Sequence, residues 1–215
     1  MSDCCSPGAY RWLFSERRAR REMRRYQRRG LDHTSRRVRR LADPYSVRGR
    51  TLLEIGGGIG AMQLEFLRAG AVTATSVELT PTYEDVAAAL IHDAGLEDRV
   101  NRRVMDFAES AAQVSPADVV ILNRVICCYP DMPRLTGAAA QHTRELLLLS
   151  FPRRAWWTQA VVGLANVSLR IMRRRFHIFV HPPKEIFATA AQHGLRPADV
   201  HRGVFWTVAS LQRAA

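Results

Sequence analysis

Lysine is nearly missing from this chain. Of its 32 basic residues only Lys184 is lysine, and the other 31 are arginine. A bias of that kind follows from a GC-rich coding sequence, so a large share of the positive charge needs no functional cause. Cysteine is scarce as well: four residues, in the adjacent pairs Cys4-Cys5 and Cys127-Cys128. No Cys-x-x-Cys spacing occurs, which argues against a zinc site, and no metal is expected. Neighbouring cysteines rarely bridge each other, because the geometry is strained. Nothing calls for an oxidising compartment, and a cytoplasmic setting is expected. No uncharged apolar run reaches the length of a transmembrane helix. Met1–Ser6 is polar and arginines follow from Arg11, so no secretory signal is expected. Internal repeats and low-complexity linkers are absent too.

What is present suits one ordinary domain with an arm or insertion: 215 residues, 47% hydrophobic and 24% charged, with a net charge of +12. The charge is uneven. Residues 1–50 carry 15 arginines against five acids, and residues 151–181 carry six arginines and no acid, which leaves the rest at −4. A slightly acidic body therefore wears two basic appendages. Such appendages suit nucleic acid or an anionic membrane surface.

The pattern reads as helices over 11–29 and about 33–42, then a body in which strand and helix alternate five times. Strands are expected at Thr51–Ile55, Ala74–Glu78, Val100–Val104, Asp118–Asn123 and Glu145–Phe151, with helices at 61–69, 83–94 and 133–144 between them. Strand-helix alternation of this kind means parallel strands joined by right-handed crossovers. Pro182-Pro183 opens one more helix, and two strands near 197–202 and 204–212 flank Gly203. The expected fold is a Rossmann-like, doubly wound seven-stranded α/β sheet, mostly parallel with one antiparallel C-terminal strand. The domains divide as an Arg-rich helical arm or lid over 1–48 and a body over 49–215, with an insertion at 152–181.

The sharpest motif is Glu54-Ile-Gly-Gly-Gly-Ile-Gly60. Its glycines let a turn form without Cβ clashes and let a ligand press on backbone next to a helix N-terminus. Gly56-x-Gly58-x-x-Ala61 also fits the dinucleotide fingerprint, and Glu78, 22 residues after Gly56, suits ribose hydroxyls in either case. Glu54 and Asp106 separate the two. A carboxylate beside the loop repels a dianionic pyrophosphate but suits the sulfonium and ammonium of S-adenosylmethionine. Asp106 is placed to accept from an adenine amino group, with Phe107 against the ring.

On these residues the sequence resembles class I S-adenosylmethionine-dependent methyltransferases over about 50–212. The matching pieces are Leu52–Gly60, Glu78 ending the second strand, Asp106-Phe107 after the third, and Asp118–Asn123 as the fourth. The resemblance implies that Glu54, Gly56, Gly57, Gly58 and Gly60 hold the methionine part and that Glu78, with Leu79 beside it, holds the ribose. It puts Asp106 and Phe107 at the adenine and Asn123 on the floor near the sulfonium. S-adenosylmethionine would be the cofactor and S-adenosylhomocysteine the product. More narrowly, Arg124–Pro130, Leu148–Pro152 and Arg24-Arg-Tyr26 are similar to magnesium-protoporphyrin O-methyltransferases. Arg124 stands where that group has an acid, and Cys128 where it has histidine, so shared ancestry is implied rather than shared substrate.

Methyl transfer from a sulfonium is governed by positioning and by exclusion of water. A hydroxyl acceptor needs a base, and a carboxylate does not. Tyr26, His33, Cys128 and Tyr129 are the preferred pocket residues, with His181 a further candidate. Each has a plain structural alternative: Tyr26 packing the arm on the body, His33 capping a helix after Asp32, Cys128 as a small apolar group, Tyr129 fixing the loop before Pro130, and His181, with His177, flanking a short apolar strand or extended piece. Within the insertion, Trp157, Val161, Leu164, Val167 and Ile171 recur at helical spacing, opposite Thr158, Asn166, Ser168 and Arg170. An amphipathic helix packing on the sheet, a lid over an apolar acceptor, or a membrane-surface contact through 153–175 all fit. The expected reaction is methyl transfer to a small molecule, with oxygen slightly preferred over nitrogen. Methylation of RNA or other nucleic acid is less favoured, since Asn123 is followed by Arg124-Val125-Ile126 rather than an Asn-Pro-Pro-Tyr type signature. A non-catalytic, cofactor-binding scaffold is the third reading.

Overall fold

The computed structural model describes residues 14–213. Trp12, the Cys4-Cys5 pair and the start of the expected first helix lie outside the described residues. The arm contributes α1 (Glu16–Arg29) and α2 (His33–Arg40). The body follows as β1 (Thr51–Ile55), α3 (Ala61–Arg68), β2 (Thr73–Glu78), α4 (Glu84–Asp93), β3 (Val100–Val104), α5 (Phe107–Ser110) and β4 (Ala117–Asn123). It continues through α6 (Met132–Gln141), β5 (Thr143–Pro152), α7 (Trp156–Ile171), α8 (Pro183–Ala191), β6 (Leu195–Arg202) and β7 (Trp206–Arg213).

The seven strands form one sheet in the order β3-β2-β1-β4-β5-β7-β6. The first five are parallel, and β7 runs antiparallel to both β5 and β6. Successive strand residues point to opposite faces. Leu52, Val119, Ile121, Leu146 and Leu148 enter the cluster on one side with α3, α4 and the arm. Leu53, Val120, Leu122, Leu147 and Leu149 enter the cluster on the other side with α6 and α8. Burial on both faces explains why β4 and β5 read as unbroken apolar runs instead of alternating ones.

Two boundaries differ instructively. The expected helix over 133–144 stops at Gln141, because the next side chains take its last carbonyls. The His142 ring lies 2.8 Å from the Ala138 oxygen, and the Thr143 hydroxyl donates to the Ala139 oxygen at 2.8 Å. Thr143 and Arg144 then belong to β5. After β3, Asp106 accepts from the Ala108 and Glu109 amides and caps the short α5, a helix absent from the sequence reading.

The arm is part of the core. Ala19, Tyr26, Leu31 and Val38 are buried in the same cluster as Leu64, Phe66 and Leu148. Asp32 caps α2 by accepting from the Thr34 and Ser35 amides. A second tie is Tyr26, whose hydroxyl donates to Glu65 at 2.6 Å and accepts from Arg68 at 2.9 Å. Tyr26→Phe keeps the packed ring and removes both bonds. It is expected to cost about 1–2 kcal/mol and to lower the thermal midpoint by roughly 2–8 °C for a domain of this size. Turnover per folded molecule should be unchanged. A large loss of turnover at unchanged stability would instead make Tyr26 a catalytic group.

Candidate active site

A cavity of about 470 Å3 opens at the carboxyl ends of β1, β2 and β4, under the arm and α7. Its size is that of an ordinary small-ligand pocket. Its position is where open parallel sheets place ligands.

Its inner half is the loop after β1. Glu54 is buried beneath this loop and accepts from the Gln63 amide at 3.2 Å. A Cβ at Gly57 would stand 2.5 Å from the Glu54 carboxyl carbon, and Gly56, at φ +67°, would drive a Cβ into Val125. Glycine is therefore required twice: for the fit over the carboxylate and for the left-handed turn. Glu78 ends β2 and accepts from the Gly58 amide. Arg102 on β3 holds the loop from behind, donating to the Gly58 carbonyl at 3.0 Å and to both Glu84 oxygens at 2.7 and 3.0 Å. Gln63 is wholly buried beside Gly60, and its side-chain Nε2 and Oε1 find no partner.

Burial dominates the electrostatics here. It pushes Glu54 up to about 8, against the Gln63 amide and Arg102, which favour its ionised form. It pushes Glu78 up to about 7, against the Gly58 amide and Arg102. Two incompletely neutralised carboxylates beside a glycine loop suit a ligand with cationic groups and sugar hydroxyls. A phosphate-bearing dinucleotide would offer these carboxyls no counter-charge. This donor set fits S-adenosylmethionine.

The other expected cofactor residues lie around the same cavity. Leu79, Asp106, Phe107 and Asn123 line it, as do Glu54, Gly56, Gly57, Gly58 and Glu78. Gly60, left-handed at φ +79°, sits at the N-cap of α3. Asp106 receives the Tyr129 hydroxyl at 3.2 Å on each oxygen, so Tyr129 holds the carboxylate that the sequence reading gave to the adenine. His181 in turn binds the Tyr129 carbonyl at 3.0 Å and stacks on Phe179. Burial holds its pKa below the usual range.

The outer half differs from expectation. His33 is exposed in the first turn of α2 and is not among the cavity-lining residues. The helix turns it away because Asp32, as cap, and Ser35, three residues on, take the inward positions. Tyr26 lines the cavity, but its hydroxyl is committed to Glu65. Burial, with the Glu65 carboxylate adding to it, raises its pKa well above the usual range. Cys128 also lines the cavity. The Cys127 thiol beside it and its own burial raise its pKa, so the thiol stays protonated in an apolar patch with Leu79, Leu169 and Phe176.

A polar seam takes the place of these groups. Asn123 donates to the Ser35 hydroxyl at 3.0 Å and accepts from Ser150 at 2.7 Å. Ser35 donates to Asp32 at 2.8 Å, and Asp32 is ion-paired with Arg124. Burial pushes the Asp32 carboxyl up, but the Arg124 guanidinium and the Ser35 and Thr34 donors outweigh this and hold it low. Arg124 has φ +64°, a conformation disfavoured outside glycine, and its guanidinium lies 5.3 Å from the Trp206 ring centroid. Its Nε is buried without a partner. Asp32, Ser35 and Arg102 were missed as site residues. The signal available for the first two was an Asp followed by Thr34 and Ser35 at helix-cap spacing; nothing in Val100–Val104 marked Arg102.

An open α/β sheet with this loop and these acidic strand ends is the framework of an S-adenosylmethionine-dependent methyltransferase. The model of a methyltransferase domain family matches residues 17–202, most of the chain, and the protein belongs to that family. No curated protein matches the sequence. Solved structures show the same fold. Magnesium protoporphyrin IX methyltransferase (ChlM) from Synechocystis PCC 6803, with bound S-adenosylhomocysteine, superposes with a TM-score of 0.67 at 16% identity, covering 84% of this chain and 82% of that one. An O-methyltransferase family protein from Burkholderia thailandensis gives 0.65 at 22% identity, over 85% of this chain and 57% of that one. A family 2 O-methyltransferase from Planctomyces limnophilus, in complex with apigenin, gives 0.66 at 19% identity, over 93% and 62%. This chain is accordingly an enzyme that transfers methyl groups from S-adenosylmethionine.

The two raised carboxyls make a pH signature. In the unfolded chain both ionise near the ordinary 4.5, but in the fold they keep their protons to about 7 and 8. The folded state thus binds more protons between those limits, and stability of the ligand-free protein should fall as pH rises from about 4.5 to about 8. Cofactor affinity should rise over the upper part of that window, as the carboxylates ionise. Unfolding measured at three pH values should show a shallower slope in Glu54→Gln, and an identical slope would exclude Glu54 as a titrating group.

Proposed function

We propose that this enzyme methylates an oxygen of a small, apolar-bodied molecule, and that the acceptor oxygen is one that ionises without help, such as a carboxylate or an acidic phenol. When bound, S-adenosylmethionine supplies the electrophilic methyl group and a neutral leaving group. The chain supplies orientation and a dry wall: Leu31, Val161, Phe176 and Ile178 line the outer half of the cavity. The observation that carries the reading is Arg124. Arg124 lines the cavity with its side chain about a third exposed, one end of its guanidinium held by Asp32 and its Nε–H without a partner. A charged donor so placed would hold the second oxygen of a carboxylate, or the oxygen of a phenolate. Tyr26 and Cys128 both hold their protons more tightly than usual, which suits an acceptor that arrives already ionised. An aromatic acceptor is also supported by the complex of the Planctomyces limnophilus protein, similar in fold, with apigenin.

The test is transfer of labelled methyl to a panel of aromatic carboxylic acids, phenols, amines and RNA. Label should enter the acids or phenols, and carboxyl esters should release it in mild base. In Arg124→Gln, kcat/KM for the acceptor should fall about 10- to 100-fold, as loss of a charged hydrogen bond predicts. S-adenosylhomocysteine affinity should hold. Label in amines alone, or an unchanged Arg124→Gln, would refute the reading.

Nucleic-acid methylation keeps one observation in its favour: Arg21, Arg24, Arg25, Arg28 and Arg29 gather around a second depression along α1. Filter binding with a steep loss over a salt series, together with label in RNA, would move the assignment there.

A further inference from the structure

The insertion helix α7 covers the cavity with one side and leaves an apolar stripe exposed on the other. Its inner side is Thr158, Val162 and Leu169, with Thr158 fully buried. Its outer side is a stripe of Trp156, Ala160, Leu164, Val167 and Ile171, spaced four, four, three and four residues apart along one face. Trp156 is 81% exposed, Leu164 69% and Ile171 77%. Of the stripe expected from the sequence, Leu164, Val167 and Ile171 thus point to solvent, while Trp157 packs on Phe205 and Val161 lines the cavity, and the Thr158 hydroxyl is buried on the inner side. Contiguous exposed apolar surface marks a binding face.

The surrounding charge selects what binds. Arg153 and Arg154 precede the helix, Arg170 is exposed in its last turn, and Arg173–Arg175 follow it; residues 151–181 contain no acid. A second copy of the chain, docked by a twofold axis, would set this cationic frame against itself. An anionic bilayer answers both features at once, since it takes an apolar stripe into the acyl boundary and the arginines among its headgroups. At 16 residues, α7 is about 24 Å long, and among the described residues no helix is long and apolar enough to cross a membrane. We propose that α7 is an interfacial helix that seats the enzyme on an anionic lipid surface. The same helix contributes Val161, Val162 and Ala165 to the cavity wall, so a seated molecule would hold the cavity beside the acyl boundary.

The experiment is flotation of the full chain with vesicles of phosphatidylcholine alone and of phosphatidylcholine with about a third phosphatidylglycerol, at low and high salt. The chain should float with the anionic vesicles at low salt, and high salt should weaken this. Leu164→Ser with Ile171→Ser should lose affinity on the order of tenfold per residue. Arg153, Arg154 and Arg170, each changed to Ser, should lose about fivefold apiece. S-adenosylhomocysteine affinity, unchanged in all variants, would show that they fold. The proposal is overturned by absence of flotation with anionic vesicles, or by flotation that survives Leu164→Ser/Ile171→Ser. Sedimentation showing a dimer that the same pair of substitutions dissociates, with no vesicle binding, would assign the stripe to self-association instead.

Discussion

Glu54 is buried at the end of a central strand, beneath backbone that has no side chain to spare. That constraint organises the cofactor half of the molecule. The loop can close over the carboxyl only because Gly57 brings no Cβ to it. The closed loop then directs the Gly58 amide to Glu78 and leaves the Gly58 carbonyl for Arg102. Arg102 divides its charge between this carbonyl and Glu84, and neither Glu54 nor Glu78 gains a full counter-charge. A buried carboxyl without a counter-charge is costly to ionise, and burial favours its protonated form. The site is therefore strained toward neutrality when empty and toward a cationic ligand when one is offered.

Asp32 plays the corresponding part in the outer half. One carboxylate caps α2, receives the Ser35 hydroxyl and pairs with Arg124 at the end of β4. Arm and sheet are thereby joined at the cavity wall. Loss of the arm would strip Arg124 of its counter-charge and Asn123 of its Ser35 contact together, so the cover and the acceptor wall stand or fall as one unit. A strained φ at Arg124 persists because Asp32, Ser150 and Trp206 all hold the residue from different sides.

The sheet was legible in the sequence because its strands are either apolar throughout or end in motif residues. β1 and β3 fall at the expected residues, and the β1 loop announces itself by four glycines in five positions, Gly56, Gly57, Gly58 and Gly60. Legibility fails where the deciding partner is distant in sequence. Tyr26 looks like a pocket residue until Glu65, 39 positions away, takes its hydroxyl. His33 looks more chemical than Asp32 or Ser35, yet helix geometry after the cap turns it outward. The end of α6 depends on side chains of His142 and Thr143 reaching back to carbonyls, which no breaker residue signals. In α7 the period marks Leu164, Val167 and Ile171 as one face but picks Trp157 and Val161 over the outward Trp156 and Ala160, and period alone does not say whether a stripe faces protein or solvent.

The orientation of α7 also changes what the net charge of +12 means. Coding bias explains why the cations are arginine and not lysine. It does not explain where acids are missing. Twenty acids over 215 residues would put about three in any stretch of 31, and residues 151–181 have none. In the same stretch the structure turns tryptophan, leucine, valine and isoleucine toward solvent and buries a threonine. For a helix facing only water, each of these choices is unfavourable: exposed apolar area gains nothing, and like charges at both ends repel. Both become favourable against one kind of surface, apolar within and negative at its face. The charge excess is therefore best understood by place, as an electrostatic frame around an apolar stripe, with the catalytic body beneath it mildly acidic.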